Sequence, residues 1–96
     1  MKKLSIFVSP FVSVGEEITV DISAVGVSSA TIELSYPDNI RLSGEDELDI
    51  PLGHDSQRMA WTVLSLSEGT SGMVRVLVTS GALVQAGVVK ITPDNA

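Results

Sequence analysis

The chain has 96 residues, 44% of them hydrophobic and none of them cysteine, and a formal net charge of −6 from twelve Asp and Glu against six Lys and Arg. That length fits one domain, residues 1–96, and the apolar content supplies a core rather than a disordered chain. The acidic balance repels phosphate backbones and anionic lipid, no run is long and apolar enough to cross a bilayer, and the missing cysteines remove disulfides, thiolate catalysis and Cys-ligated zinc.

Aromatic residues are scarce, with one Trp, one Tyr and two Phe. The core must therefore come from Val, Ile, Leu and Ala, and β-branched side chains favour pleated sheet. In chain order, Met1-Lys2-Lys3 followed by Leu4-Ser5-Ile6-Phe7-Val8 has the opening of a secretory signal. Pro10 then interrupts the apolar run and Glu16-Glu17 follow, without a small-x-small cleavage site, so the segment is read as a first strand. Leu4, Ile6 and Val8 alternate with Ser5, Phe7 and Ser9, and Pro10 ends or bends that strand.

Val14-Gly15-Glu16-Glu17 turns the chain. Ile18, Val20 and Ile22 then point one way and Thr19, Asp21 and Ser23 the other, the period of a half-buried strand. Gly26 and Ser28-Ser29 make the next turn. Ala30, Ile32, Leu34 and Tyr36 alternate with Thr31, Glu33 and Ser35 until Pro37-Asp38-Asn39 stops the strand with turn chemistry. Ile40 and Leu42 form a short apolar pair, and 44–47 is an acidic loop. Leu48, Ile50 and Leu52 alternate again, with Pro51 the mark of an edge strand.

The stretch from Met59 to Val78 is the centre of the chain. Two apolar runs flank a loop of Ser, Thr, Glu and Gly, which predicts a hairpin or a connection between sheets. Met59, Trp61 and Val63 share one face, and Trp61 is expected to point inward. Val74, Val76 and Val78 oppose Met73, Arg75, Leu77 and Thr79. Ser80-Gly81 is a tight turn, and 83–92 is the last strand, with Gly87 a bulge or a close-approach point. The whole predicts an all-β, immunoglobulin-like β-sandwich of seven to eight antiparallel strands.

Three segments resemble known modules. Val14-Gly15-Glu16-Glu17-Ile18-Thr19-Val20 is similar to the V-G-E/D-x-hydrophobic-T-V entry of many prokaryotic surface modules. Ile32-Glu33-Leu34-Ser35-Tyr36-Pro37-Asp38 resembles the L-x-Y-D/P segment of cohesin-like and related immunoglobulin-like domains. Trp61-Thr62-Val63, a glycine loop, then Val74-Arg75-Val76-Leu77-Val78 resembles the ending of the prokaryotic modules called CARDB and NEW3. The resemblance implies a non-enzymatic extracellular or cell-surface module, one of several in a larger surface or carbohydrate-acting protein.

Candidate sites each carry two readings. Glu45, Asp46, Glu47 and Asp49 are calcium candidates through carboxylate oxygen, although they lack EF-hand spacing. The competing reading is a solvated loop whose charges keep an edge strand from pairing. His54-Asp55-Ser56 invites a triad, but neighbours in one loop do not adopt triad geometry, and one histidine makes no multi-histidine metal site. Trp61 is either a sugar-stacking platform or the largest core residue, and the lack of aromatic neighbours favours the core. Arg75 is expected to face solvent, paired with a carboxylate across the sheet.

Val84, Ala86 and Val88 form an apolar outer side on the last strand. Either that strand is covered on both faces, or these residues meet a partner, in a homo-oligomer or with a neighbouring domain. No cofactor and no catalytic residue is expected. The function expected is a non-catalytic module for spacing, adhesion or protein–protein interaction. The rivals are a carbohydrate- or calcium-binding module and a structural repeat of a virion or tail-type assembly.

Overall fold

A computed structural model describes residues 1–53, 56–67 and 69–93. Nine strands form among them: β1 (Lys3–Val8), β2 (Phe11–Ser13), β3 (Glu17–Val25), β4 (Ser29–Ser35), β5 (Ile40–Leu42), β6 (Glu47–Pro51), β7 (Gln57–Leu66), β8 (Gly72–Ser80) and β9 (Leu83–Thr92). They make two sheets, one in the order β1-β3-β7-β5 and the other in the order β2-β9-β8-β4-β6. The protein is all-β, with two sheets packed as in a sandwich around one core.

The alternation in the sequence becomes the core. Ile18, Val20 and Ile22 of β3 meet Val74, Val76 and Val78 of β8 within one buried cluster that also holds Ile32, Val63, Val89 and Ile91. Among the described residues every buried side chain is apolar. Fully burying side chains of this size contributes about 1.5–3 kcal/mol each.

The expected seven to eight antiparallel strands are corrected on two points. Among the described residues there are nine strands, and one pairing is parallel. Both differences come from Pro10. Proline has no N–H to continue a ladder, and the chain changes sheets there. Before it, β1 pairs antiparallel with β3, Leu4 opposite Ala24 and Val8 opposite Val20. After it, β2 pairs parallel with the end of β9, Phe11 beside Lys90 and Ser13 beside Thr92. The Pro10 carbonyl accepts the Lys90 N–H at 2.9 Å, so the proline forms the first rung of the new pairing. Val12 then enters the core beside Ile91.

The turn after β2 joins the sheets a second time. Gly15, at φ +90°, donates its N–H to the Val63 carbonyl, and Val63 donates back to Glu16, both at 2.9 Å. The Met59–Val78 stretch proves to be a connection between sheets. β7 lies in the four-stranded sheet and β8 in the five-stranded one. Gly87 is a close-approach point without a register shift in the β8–β9 ladder. A Cβ built there would lie 2.9 Å from Val8 Cγ2. The missing side chain lets β1 lie against β9 across the sandwich.

Candidate functional site

The five-stranded sheet presents the surface of interest. Its inward residues are buried, so alternation turns their neighbours outward. On β9, Val84, Ala86, Val88 and Lys90 all face out and all are exposed. On β8, Met73, Arg75 and Leu77 do the same. The ladder sets Thr79 beside Val84, Leu77 beside Ala86, Arg75 beside Val88 and Met73 beside Lys90. Phe11 of β2 lies on the other side of Lys90. Phe11 is 70%, Val84 57%, Met73 55% and Val88 51% exposed, so a run of large apolar side chains stands in water on one face.

The other half of this face is acidic. Glu33 of β4 lies opposite Leu77 on one side and Glu47 of β6 on the other, and Thr31 lies opposite Asp49. The sheet therefore divides into an apolar half with two cations, Arg75 and Lys90, and an anionic half at β4 and β6. β6 is the outermost strand, and Glu47, Asp49 and Pro51 are exposed along it. Charges and proline at an edge are the devices that block strand addition.

The edge beyond β9 is different. β2 pairs with only the last three residues of β9, from Lys90 to Thr92. Among the described residues no strand pairs with Leu83–Val88 on that side. The Lys90 N–H points toward β2. Backbone groups alternate sides along a strand, and the β8–β9 ladder has no register shift. The N–H and C=O of Val84, Ala86 and Val88 therefore point to the open side. β9 is neither covered twice nor a full edge strand.

Val84, Ala86 and Val88 were readable as an apolar outer row, and the structure exposes them together. Met73 and Leu77 carried the same signal, lying opposite the buried valines. Phe11 carried none, because three residues after a proline show no period.

The acidic candidates do not come together. The Asp46 carboxylate accepts the Tyr36 hydroxyl at 2.6 Å, and Asp49 accepts the Thr31 hydroxyl at 2.9 Å. The Glu45 backbone carbonyl accepts the Trp61 indole N–H. Glu47 is exposed on β6, and among the described residues no three acidic or imidazole side chains converge. Tyr36 is changed by its neighbour: the hydrogen bond to Asp46, with partial burial, pushes the phenol up to about 12.

Trp61 is 2% exposed and belongs to the core, so it offers no surface for a sugar. His54 and Asp55 lie outside the described residues. Arg75 faces solvent as expected, but its ladder neighbours are Ser35 and Val88 rather than a carboxylate. The ion pair among the described residues is on the opposite sheet, where Arg58 Nε meets Asp21 Oδ1 at 2.7 Å. That hydrogen bond holds the Asp21 carboxyl below its ordinary range and raises Arg58. Arg58 is exposed and Asp21 half-buried at the surface, where such pairs contribute little.

In comparisons with known proteins, the chain matches no family model and no curated protein sequence.

Proposed function

We propose that this chain is a non-catalytic immunoglobulin-like module that works by protein–protein contact, providing spacing or adhesion in a cell-surface or secreted protein. The observation that carries the reading is the exposed apolar half of the five-stranded sheet. Side chains of that size standing in water along neighbouring strands mark an interaction surface. The strand layout supports the immunoglobulin-like assignment. The first strand crosses from one sheet to the other and ends parallel to the last strand. The resemblance of 14–20, 32–38 and 61–78 to CARDB, NEW3 and cohesin-like modules supports the extracellular setting.

A second reading, a structural repeat of a virion or tail-type assembly, draws on the exposed apolar rows of β8 and β9, because repeats that pack into arrays need a face that meets the next copy. One experiment tests both. An antibody against residues 1–96 is applied to intact and to permeabilised cells that make the protein, and to any particles they release. Labelling of intact cells is the expected result, together with weaker cell adhesion when Val84 and Val88 are replaced by Ser. Labelling confined to released particles favours the second reading. Labelling only after permeabilisation overturns the first.

A further inference from the structure

We propose that the outer face of the five-stranded sheet is self-complementary, and that a second copy of this chain docks on it face to face about a two-fold axis between Arg75 and Glu33. The inference rests on the reading of this face as an interaction surface and names what covers it.

A line of charge crosses the face. Lys90 of β9, Arg75 of β8, Glu33 of β4 and Asp49 of β6 are all exposed. Arg75 lies opposite Val88, two residues from Lys90. Glu33 lies opposite Leu77, two residues from Arg75. Asp49 lies opposite Thr31, two residues from Glu33. Each step crosses one strand and moves two residues in the same direction along the sheet, and none of the three ladders has a register shift. The four residues therefore stand on one diagonal, two cations and then two anions, with steps of about 8 Å. Among the described residues neither cation is in an ion pair, which leaves both to a partner.

A two-fold axis lying in the face, perpendicular to this diagonal at its midpoint, reverses the order. Arg75 of each copy meets Glu33 of the other, and Lys90 meets Asp49. Other axes in the face through the same point do not pair the charges. An axis along the strands sets Arg75 over Ser35 and Asp49 over Val84. An axis across the strands sets Arg75 over Leu77 and Lys90 over Val84.

The apolar residues agree with the diagonal axis. From the usual strand spacing and rise, Leu77 and Ala86 lie within about 2 Å of it and Val84 about 4 Å away. These residues meet their own counterparts at the centre of the contact, and the charges flank them. The strands of the two copies cross at roughly 70°, nearer the orthogonal than the aligned way of packing sheets. In a chain of net charge −6, two copies repel on average. This face lets them approach with opposite charges in register.

The contact is modest. Five strands about 24 Å wide and about 20 Å long cover about 500 Å² per copy, below the roughly 800 Å² of a stable interface. The dimer is therefore weak and forms as concentration rises. It also weakens with salt, because the screening length falls from about 30 Å at 0.01 M to about 3 Å at 1 M.

Sedimentation of the 96-residue chain over micromolar to millimolar concentration tests the proposal. The wild type is expected to shift from monomer to dimer at low salt and to dissociate about tenfold more readily at about 1 M salt. Arg75→Glu and Glu33→Arg both change exposed side chains, so each should keep its fold by circular dichroism. Each puts like charges together twice in its own dimer and should remain monomeric alone. Mixed in equal amounts, the two variants should form a heterodimer, because every altered side chain then faces its opposite across the axis. Native mass spectrometry identifies that heterodimer. A wild type that stays monomeric throughout, a dimer indifferent to salt, or a mixture of the two folded variants that stays monomeric would overturn the pairing. A monomeric wild type would leave the face open to a different partner, and the cell-surface reading is decided separately by intact-cell labelling and by adhesion of the Val84 and Val88 variants.

Discussion

The indole Nε1 of Trp61 donates a hydrogen bond to the backbone carbonyl of Glu45 at 2.9 Å. A buried tryptophan has one polar atom to satisfy, and here it is satisfied by the loop that leads into β6. The bond ties the four-stranded sheet, which holds Trp61, to the connection between β5 and β6. It also gives the 44–47 loop a structural role. Trp61→Phe keeps most of the ring volume but leaves the carbonyl without its donor. We expect a loss of about 1–3 kcal/mol, and about 3–5 kcal/mol for Trp61→Ala. Denaturant unfolding measures both. In the wild type, acrylamide should quench the tryptophan emission only weakly before unfolding.

Gly44 lies against that indole. Its φ is +83°, and an added Cβ would stand 3.3 Å from Trp61 Cδ1. Gly44→Ala combines a left-handed backbone with a crowded ring. The expected cost is about 1 kcal/mol or more, read as a lowered denaturation midpoint.

Gly87→Ala tests the contact between β1 and β9. The added methyl would lie 2.9 Å from Val8 Cγ2 and 3.8 Å from Ile6 Cδ1. Neither strand is free to retreat, because each is held in its own ladder. Overpacking of this kind costs about 1–3 kcal/mol. The companion change Val8→Ala, which opens the space, should recover part of the loss. A double-mutant cycle that shows no coupling between the two sites would contradict the close approach.

Tyr36 gives a pH signature. It is the only tyrosine in the chain, so its ionisation is visible by ultraviolet absorbance. With the phenol raised to about 12 from its ordinary value of 10.0, the folded state holds the proton more tightly than the unfolded state. The associated stability is fully present below pH 10 and is lost as the pH climbs from there through about 12. Asp46→Asn removes the carboxylate that accepts the hydroxyl. Its tyrosinate absorbance should then rise at lower pH than in the wild type.

Val84→Ser and Val88→Ser separate stability from recognition. Both side chains are more than half exposed. Their replacement should change folding stability by no more than about 0.5 kcal/mol, while binding through this face falls. A large drop in the thermal midpoint would place them in the core instead.

The amino-acid order by itself determined the strands that are long enough to show a period. Three buried residues at spacing two, as in 18–22 or 74–78, leave a strand one choice of inward face. The last strand runs from Leu83 to Thr92 as its residues predict, and the inward Trp61 follows from sharing a face with Met59 and Val63 in a chain with few aromatic residues. The row Val84, Ala86 and Val88 was legible for the same reason, since alternation that buries Val89 and Ile91 turns its neighbours out.

Only the tertiary structure decided what depends on pairing between distant segments. The three residues of β2 are too few for a period, and their strand exists because β9, almost eighty positions away, supplies its ladder. Local sequence carries no information on which sheet a strand joins. The open edge of β9 follows from where β2 stops, and the separation of the acidic residues follows from the partners that Tyr36 and Thr31 bring to them. Side-chain period is a property of one strand, whereas edges and sites belong to the order of strands in a sheet.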